Sequence, residues 1–67
     1  MAKAYKKIEI VGISEKSMSD AIDHAIEKAA STVRHLAWFE VAEMRGSIAD
    51  GKVSEYQATV KIGFKID

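Results

Sequence analysis

The chain has 67 residues, ten Lys and Arg against ten Asp and Glu, and no Cys. Disulfides and thiolate metal sites are thereby excluded, and without a basic excess there is no surface suited to a nucleic-acid backbone. A domain this short buries only about 60% of its unfolded surface. Two His are too few for a structural zinc site without carboxylates, so oligomerisation is the remaining route to stability.

Hydrophobic residues make up 48% of the chain, enough for a core and an interface. The opening MAKAYKKIEI carries three Lys but lacks the apolar run of a signal peptide. No apolar run approaches the ~20 residues of a membrane span. The expectation is one domain over residues 1–67, cytoplasmic, with no membrane partner.

The first predicted element is a strand from about Ala4 to Ile13. Lys6, Ile8, Ile10 and Gly12 share one face, and Tyr5, Lys7, Glu9, Val11 and Ile13 share the other. Neither face is wholly polar, as in a strand touched on both sides. A helix begins near Ser17, where Ser17 and Asp20 have the spacing of a capping box, each side chain satisfying an orphan backbone donor. Asp20 and Asp23 in the first turns, and Arg34 and His35 near the end, suit the helix dipole. Ile22, Ala25, Ile26, Ala29, Val33 and Leu36 follow helical spacing and predict a helix of about eighteen residues. The small neighbours Ala21, Ala30 and Ala37 let a sheet approach closely. Asp23, Glu27, Lys28, Ser31 and Arg34 form the solvated side.

Two long strands follow, about Ala37 to Ala49 and Lys52 to Ile66, around Asp50-Gly51, a strong signal for a two-residue type I′ hairpin turn. An unbroken register from that turn pairs Phe39 with Ile62, Val41 with Val60, Glu43 with Ala58 and Arg45 with Tyr56 on one side. On the other it pairs Trp38 with Gly63, Glu40 with Lys61, Ala42 with Thr59, Met44 with Gln57 and Ile48 with Val53. The uninterrupted alternation of Tyr56, Ala58, Val60, Ile62, Phe64 and Ile66 marks the side that receives the helix and makes the last strand the expected centre of the sheet. Trp38 then faces away from the helix, opposite a residue with no side chain against which its indole can lie flat. A helix of that length spans ~27 Å and a twelve-residue strand ~40 Å, so the hairpin overhangs its helix. Met44, Ile48 and Val53 near the turn would need cover from another subunit.

The run KKIEIVGIS, an Ala-rich helix, WFEV, the RG and DG steps and YQATVKIGF, in this order and spacing, resembles the dodecins across nearly the whole chain. The resemblance implies an α+β fold, β-α-β-β, with a three-stranded antiparallel sheet wrapping one helix. It implies a homo-oligomer of twelve subunits forming a hollow shell. It also implies non-catalytic binding of flavin, FMN or riboflavin, for storage and photoprotective quenching, with flavins stacked in pairs at subunit interfaces. Carried over by position, Trp38 is the stacking residue and Gln57 the contact to the ring edge, with Arg45 near the site. Some bacterial members also bind coenzyme A. Lys65 stands where the family often has Arg, keeping the charge but losing the planar fork. Since Gln57 pairs with Met44, six residues from Trp38 and ~20 Å along the strand, each flavin is expected to touch Trp38 of one subunit and Gln57 of another.

Plainer readings stand beside these. An outward Trp on a hairpin can be an oligomer contact, Gln57 an ordinary strand residue, and Arg45 a partner of Glu43. His24 reads as a surface helix residue, His35 as a dipole partner, Met44 as interface filling, and Lys3, Lys6 and Lys7 as a solvated strand start. No metal site is expected. An enzyme finds little support, with no Cys nucleophile and no Gly-rich phosphate loop; Asp20, His24 and Glu27 lie on one helix without a concave site. The rivals to flavin binding are a homo-oligomeric interaction module and a coenzyme A or nucleotide carrier.

Overall fold

The structure is a computed structural model describing residues 3–66. Its elements are β1 (Ala4–Ser14), α1 (Met18–Ala30), β2 (Leu36–Ala49) and β3 (Lys52–Ile66). The sheet is antiparallel in the order β1-β3-β2. The fold is thus the α+β arrangement expected, with the most regularly alternating strand at its centre.

The helix is held by small residues. Ala21, Ala25 and Ala29 recur every fourth position and are buried against Ala58, Val60 and Ile62 of β3. β1 approaches closest at Gly12, where an added Cβ would lie 1.9 Å from the Ala21 carbonyl oxygen. Ile8, Ile10, Ile22 and Ile26 surround this core half-buried. At the helix start the Ser17 Oγ accepts from Asp20 N at 3.0 Å, one half of the capping box. The other half is relayed: Ser17 N donates to Ser14 Oγ at 3.3 Å, and Ser14 Oγ donates to Asp20 Oδ2 at 2.6 Å.

The helix is shorter than its apolar spacing predicts, 13 residues instead of about eighteen. Ser31 Oγ donates to the Lys28 carbonyl at 2.6 Å, and Thr32 N and Val33 N both turn to the Ala29 carbonyl. Such local side-chain bonds compete with helix, and β-branched Thr32 and Val33 do little to extend it. His35, at φ 63°, then turns the chain into β2. Val33 and Leu36 therefore leave the helical stripe; Leu36 reaches the same core from β2, opposite Phe64. Arg34 and His35 lie outside the helix, whose last turn carries Lys28 as its basic residue.

The hairpin turn forms as expected, Asp50 and Gly51 both at positive φ (53° and 74°), as type I′ requires. The predicted pairs hold at both ends: Ala49 with Lys52 and Ile48 with Val53, then Val41 with Val60, Glu40 with Lys61, Phe39 with Ile62 and Trp38 with Gly63. Between them the register is corrected by one residue. A shift between Ser47 and Ile48 leaves Ser54 of β3 extra, and a shift between Val41 and Glu43 leaves Ala42 of β2 extra. The two bulges cancel in the pairing, so the predicted pairs return next to the turn, but the whole hairpin end from Glu43 to Val53 changes sides; a third shift, between Leu36 and Trp38, leaves Ala37 extra. Glu43 pairs with Thr59, Met44 with Ala58, Arg45 with Gln57 and Gly46 with Tyr56. Met44, Ile48 and Val53 consequently lie on the helix-facing side, contrary to expectation, and Arg45 lies on the side of Trp38. A turn dictates register only as far as the first bulge.

The molecule measures 55 × 20 × 13 Å, with a radius of gyration of 13.9 Å, against about 11 Å for a compact chain of this length. The helix spans only ~20 Å and β3 ~50 Å, so the overhang exceeds the one predicted. The helix packs on β1 and β3 and barely meets β2. Along the helix-facing side of β2 and the hairpin end, Phe39 (49%), Met44 (64%), Ile48 (76%) and Val53 (57%) are exposed. Met18, Ile48, Val53 and Tyr56 line a groove of 260 Å³ there.

Candidate functional site

The opposite side of the sheet carries an aromatic end and a polar end. At the aromatic end Trp38 sits opposite Gly63. A Cβ built on Gly63 would lie 2.3 Å from Trp38 Cε2 and Cζ2, so the indole lies directly on the backbone of β3. Tyr5 of β1 closes its flank, ring centroids 5.1 Å apart and tilted by 58°. The indole remains 42% exposed. Lys7 and Glu40 form an ion pair from β1 to β2 across the central strand. The ammonium of Lys7, by hydrogen bond and charge, holds the Glu40 carboxyl below its ordinary range. The result is a flat aromatic shelf already fixed in place, which lowers the ordering cost of stacking a second ring on it.

At the polar end Arg45 Nε donates to Gln57 Oε1 at 2.9 Å, and Gln57 Nε2 donates to Glu55 Oε1 at 3.0 Å. Arg45 Nη1 lies 3.8 Å from Glu43 Oε1. Val11 and Ile13 of β1, opposite Thr59 and Gln57, add exposed apolar surface beside them. Six residues of β3 separate Gly63 from Gln57, ~20 Å of strand. The structure therefore brings Arg45 and Gln57 together, places Trp38 on the same side, and keeps Trp38 apart from both. Two neighbours escaped the sequence reading. Tyr5 has the same parity as Lys7 and could be found once β1 is set against β3; Glu55 has the same parity as Gln57, two residues on, and could be found from strand alternation alone.

His24 is the exposed helix residue expected, and it also ties the helix to β1. Its Nδ1 lies 2.8 Å from the Ile13 carbonyl, to which it donates, and its Nε2 lies 3.5 Å from Asp20 Oδ2. The bond to Ile13 chiefly raises its pKa above 6.5; desolvation opposes it, and the charges of Asp20 and Glu27 add to the rise while Lys16 detracts from it. A raised folded pKa means a stabilising contribution fully present below the unfolded value and lost as pH rises through the folded one. An NMR titration of the imidazole is expected to show a midpoint above 6.5 that His24 loses on unfolding; a midpoint at or below it contradicts the pairing.

Among the described residues no three His or carboxylate groups come together as a metal site, and no helix is long and apolar enough to cross a membrane. The family model of the dodecins matches residues 4–67. A dodecin of Thermus thermophilus is 48% identical over all of this chain and 97% of its own length. A crystal structure of a protein from that organism superposes with a TM-score of 0.95 at 47% identity, covering 98% of this chain and 97% of that one. A calcium dodecin of Mycobacterium tuberculosis superposes with a TM-score of 0.83 at 25% identity, covering 96% and 91%.

Proposed function

Because the chain belongs to the dodecin family, we propose that it binds flavin, FMN or riboflavin, without turning it over, at seams between copies of itself in a cytoplasmic dodecamer. The observation that carries this reading is the indole of Trp38, laid over Gly63 on the side of the sheet away from the helix and half exposed. An indole is an electron-rich stacking surface and isoalloxazine is flat and electron-poor. Close stacking also permits rapid electron transfer from the excited ring, which returns it to the ground state and serves storage and photoprotection. The amide of Gln57, with both donor and acceptor, suits the ring edge. Because Gln57 lies ~20 Å along the strand from the Trp38 level, the two contacts come from different subunits. Arg45 stands beside Gln57, and Lys65 opposite Tyr5 is one of the cations, with Lys3 and Lys6, available to an FMN phosphate or to coenzyme A.

Self-association has its own support. Among the described residues, the buried hydrophobics are three Ala of the helix with Ala58, Val60 and Ile62, while ten large ones are exposed. A core so thin in a chain so short calls for further burial, and the bare strip on β2 is continuous apolar surface of the kind that marks an interface. Replacing Ile48 by Asp would place an unpaired charge there at a cost of roughly 3–5 kcal/mol per buried copy. The expected result, by light scattering, is a shift from the large assembly to smaller species; an unchanged mass places the interface elsewhere.

The test of the ligand is optical. Purified protein is expected to be yellow, with flavin fluorescence quenched and recovered on denaturation. A colourless protein that ignores added FMN favours the plain homo-oligomeric module. Titration calorimetry with coenzyme A separates the carrier alternative.

A further inference from the structure

We infer that Glu55, together with Arg45, is a positioning residue that fixes which way the Gln57 amide faces; the inference rests on the flavin reading above. A side-chain amide has two orientations that exchange its oxygen and nitrogen. Arg45 Nε, 2.9 Å from Oε1, can only donate, and Glu55 Oε1, 3.0 Å from Nε2, can only accept while ionised. A flip would set donor against donor at Arg45 and acceptor against acceptor at Glu55, so one orientation satisfies both neighbours. Both bonds are charge-assisted. Glu43, 3.8 Å from Arg45 Nη1, holds the guanidinium from its other side. After these bonds Gln57 retains one N–H and one oxygen lone pair, a donor and an acceptor in fixed order.

That order matters for the ring edge it is proposed to meet. The pyrimidine edge of isoalloxazine presents carbonyl, N3–H, carbonyl. An amide locked in one sense accepts from N3–H through its oxygen and donates to one chosen carbonyl, which sets the lateral placement of the ring. The bulge at Ala42 makes this possible, since without it Arg45 would point to the helix side. Substituting a neighbour therefore changes what Gln57 offers. With Arg at position 55 both flanking groups donate, Oε1 takes both bonds, and only N–H faces the ligand. With Glu at position 45 both accept, Nε2 gives both protons, and only the oxygen faces the ligand.

The experiment compares binding of lumiflavin with that of N3-methyllumiflavin, neutral ligands without phosphate, by fluorescence quenching. Wild-type protein is expected to prefer lumiflavin about tenfold, the worth of one good hydrogen bond. Glu55→Arg is expected to bring the ratio within about twofold, and Arg45→Glu to raise it above the wild-type value. A merely structural role would weaken both ligands in parallel and leave the ratio alone. Ratios that stay at the wild-type value in both variants overturn the positioning role while the flavin reading stands. Wild-type protein that binds neither ligand overturns the flavin reading and this inference with it.

Discussion

Replacing Trp38 by Ala is expected to lower flavin affinity by roughly one to two orders of magnitude while the assembly stays whole. An aromatic platform contributes ~1–3 kcal/mol for each ring stacked on it, and ~1.4 kcal/mol is tenfold in affinity. A pair of flavins held between two indoles loses that support on both sides, which sets the estimate toward the upper end. The fold is spared because Trp38 lies outside the core: its ring rests on Gly63 and against Tyr5, whereas the core is Ala21, Ala25, Ala29, Ala58, Val60 and Ile62. The substitution empties a surface shelf and opens no interior cavity. Fluorescence titration with FMN gives the affinity and light scattering the mass. An affinity within twofold of wild type would remove the indole from the site.

Gly12→Ala is expected to destabilise the protein by about 3 kcal/mol, the upper part of the range for overpacking. The added methyl would meet the Ala21 carbonyl at 1.9 Å and the Ala25 side chain at 2.9 Å. The first is helix backbone and cannot rotate aside, so the helix itself must lift from β1. Lifting it would part the row Ala21, Ala25 and Ala29 from the sheet, where most of the chain's own burial lies. The helix start would suffer too, since Ser14, two residues on, ties β1 to Asp20. Urea unfolding at matched protein concentration measures the loss, because assembly makes the midpoint concentration-dependent. A midpoint equal to that of wild type would show that helix and strand stand farther apart.

The order of elements, the turn at Asp50-Gly51, the central place of β3 and the outward aim of Trp38 over Gly63 were all legible from residue types and periods. Each depends on chemistry that neighbours in sequence supply: positive φ at a two-residue turn, alternation along one strand, a missing side chain opposite a large one. The helix end was not legible from spacing, because Val33 and Leu36 satisfy a helical period although both lie beyond the helix, Leu36 reaching the core from β2. Nor was the meeting of Arg45 with Gln57 on one side of the sheet.

By itself, then, the sequence determined the turn, the pairs beside it and which residues face inward from Trp38 to Val41, where the register returns to the one the turn sets. Only the tertiary structure decided the facing beyond Ala42: with Ala42 and Ser54 out of pairing, residues 43–49 and 52–53 turn over. The reason is physical: a bulge answers to the twist that lets β3 pair with both neighbours and close on the helix, and that demand belongs to the whole sheet. Small side chains such as Ala and Ser tolerate the bulge but do not announce it.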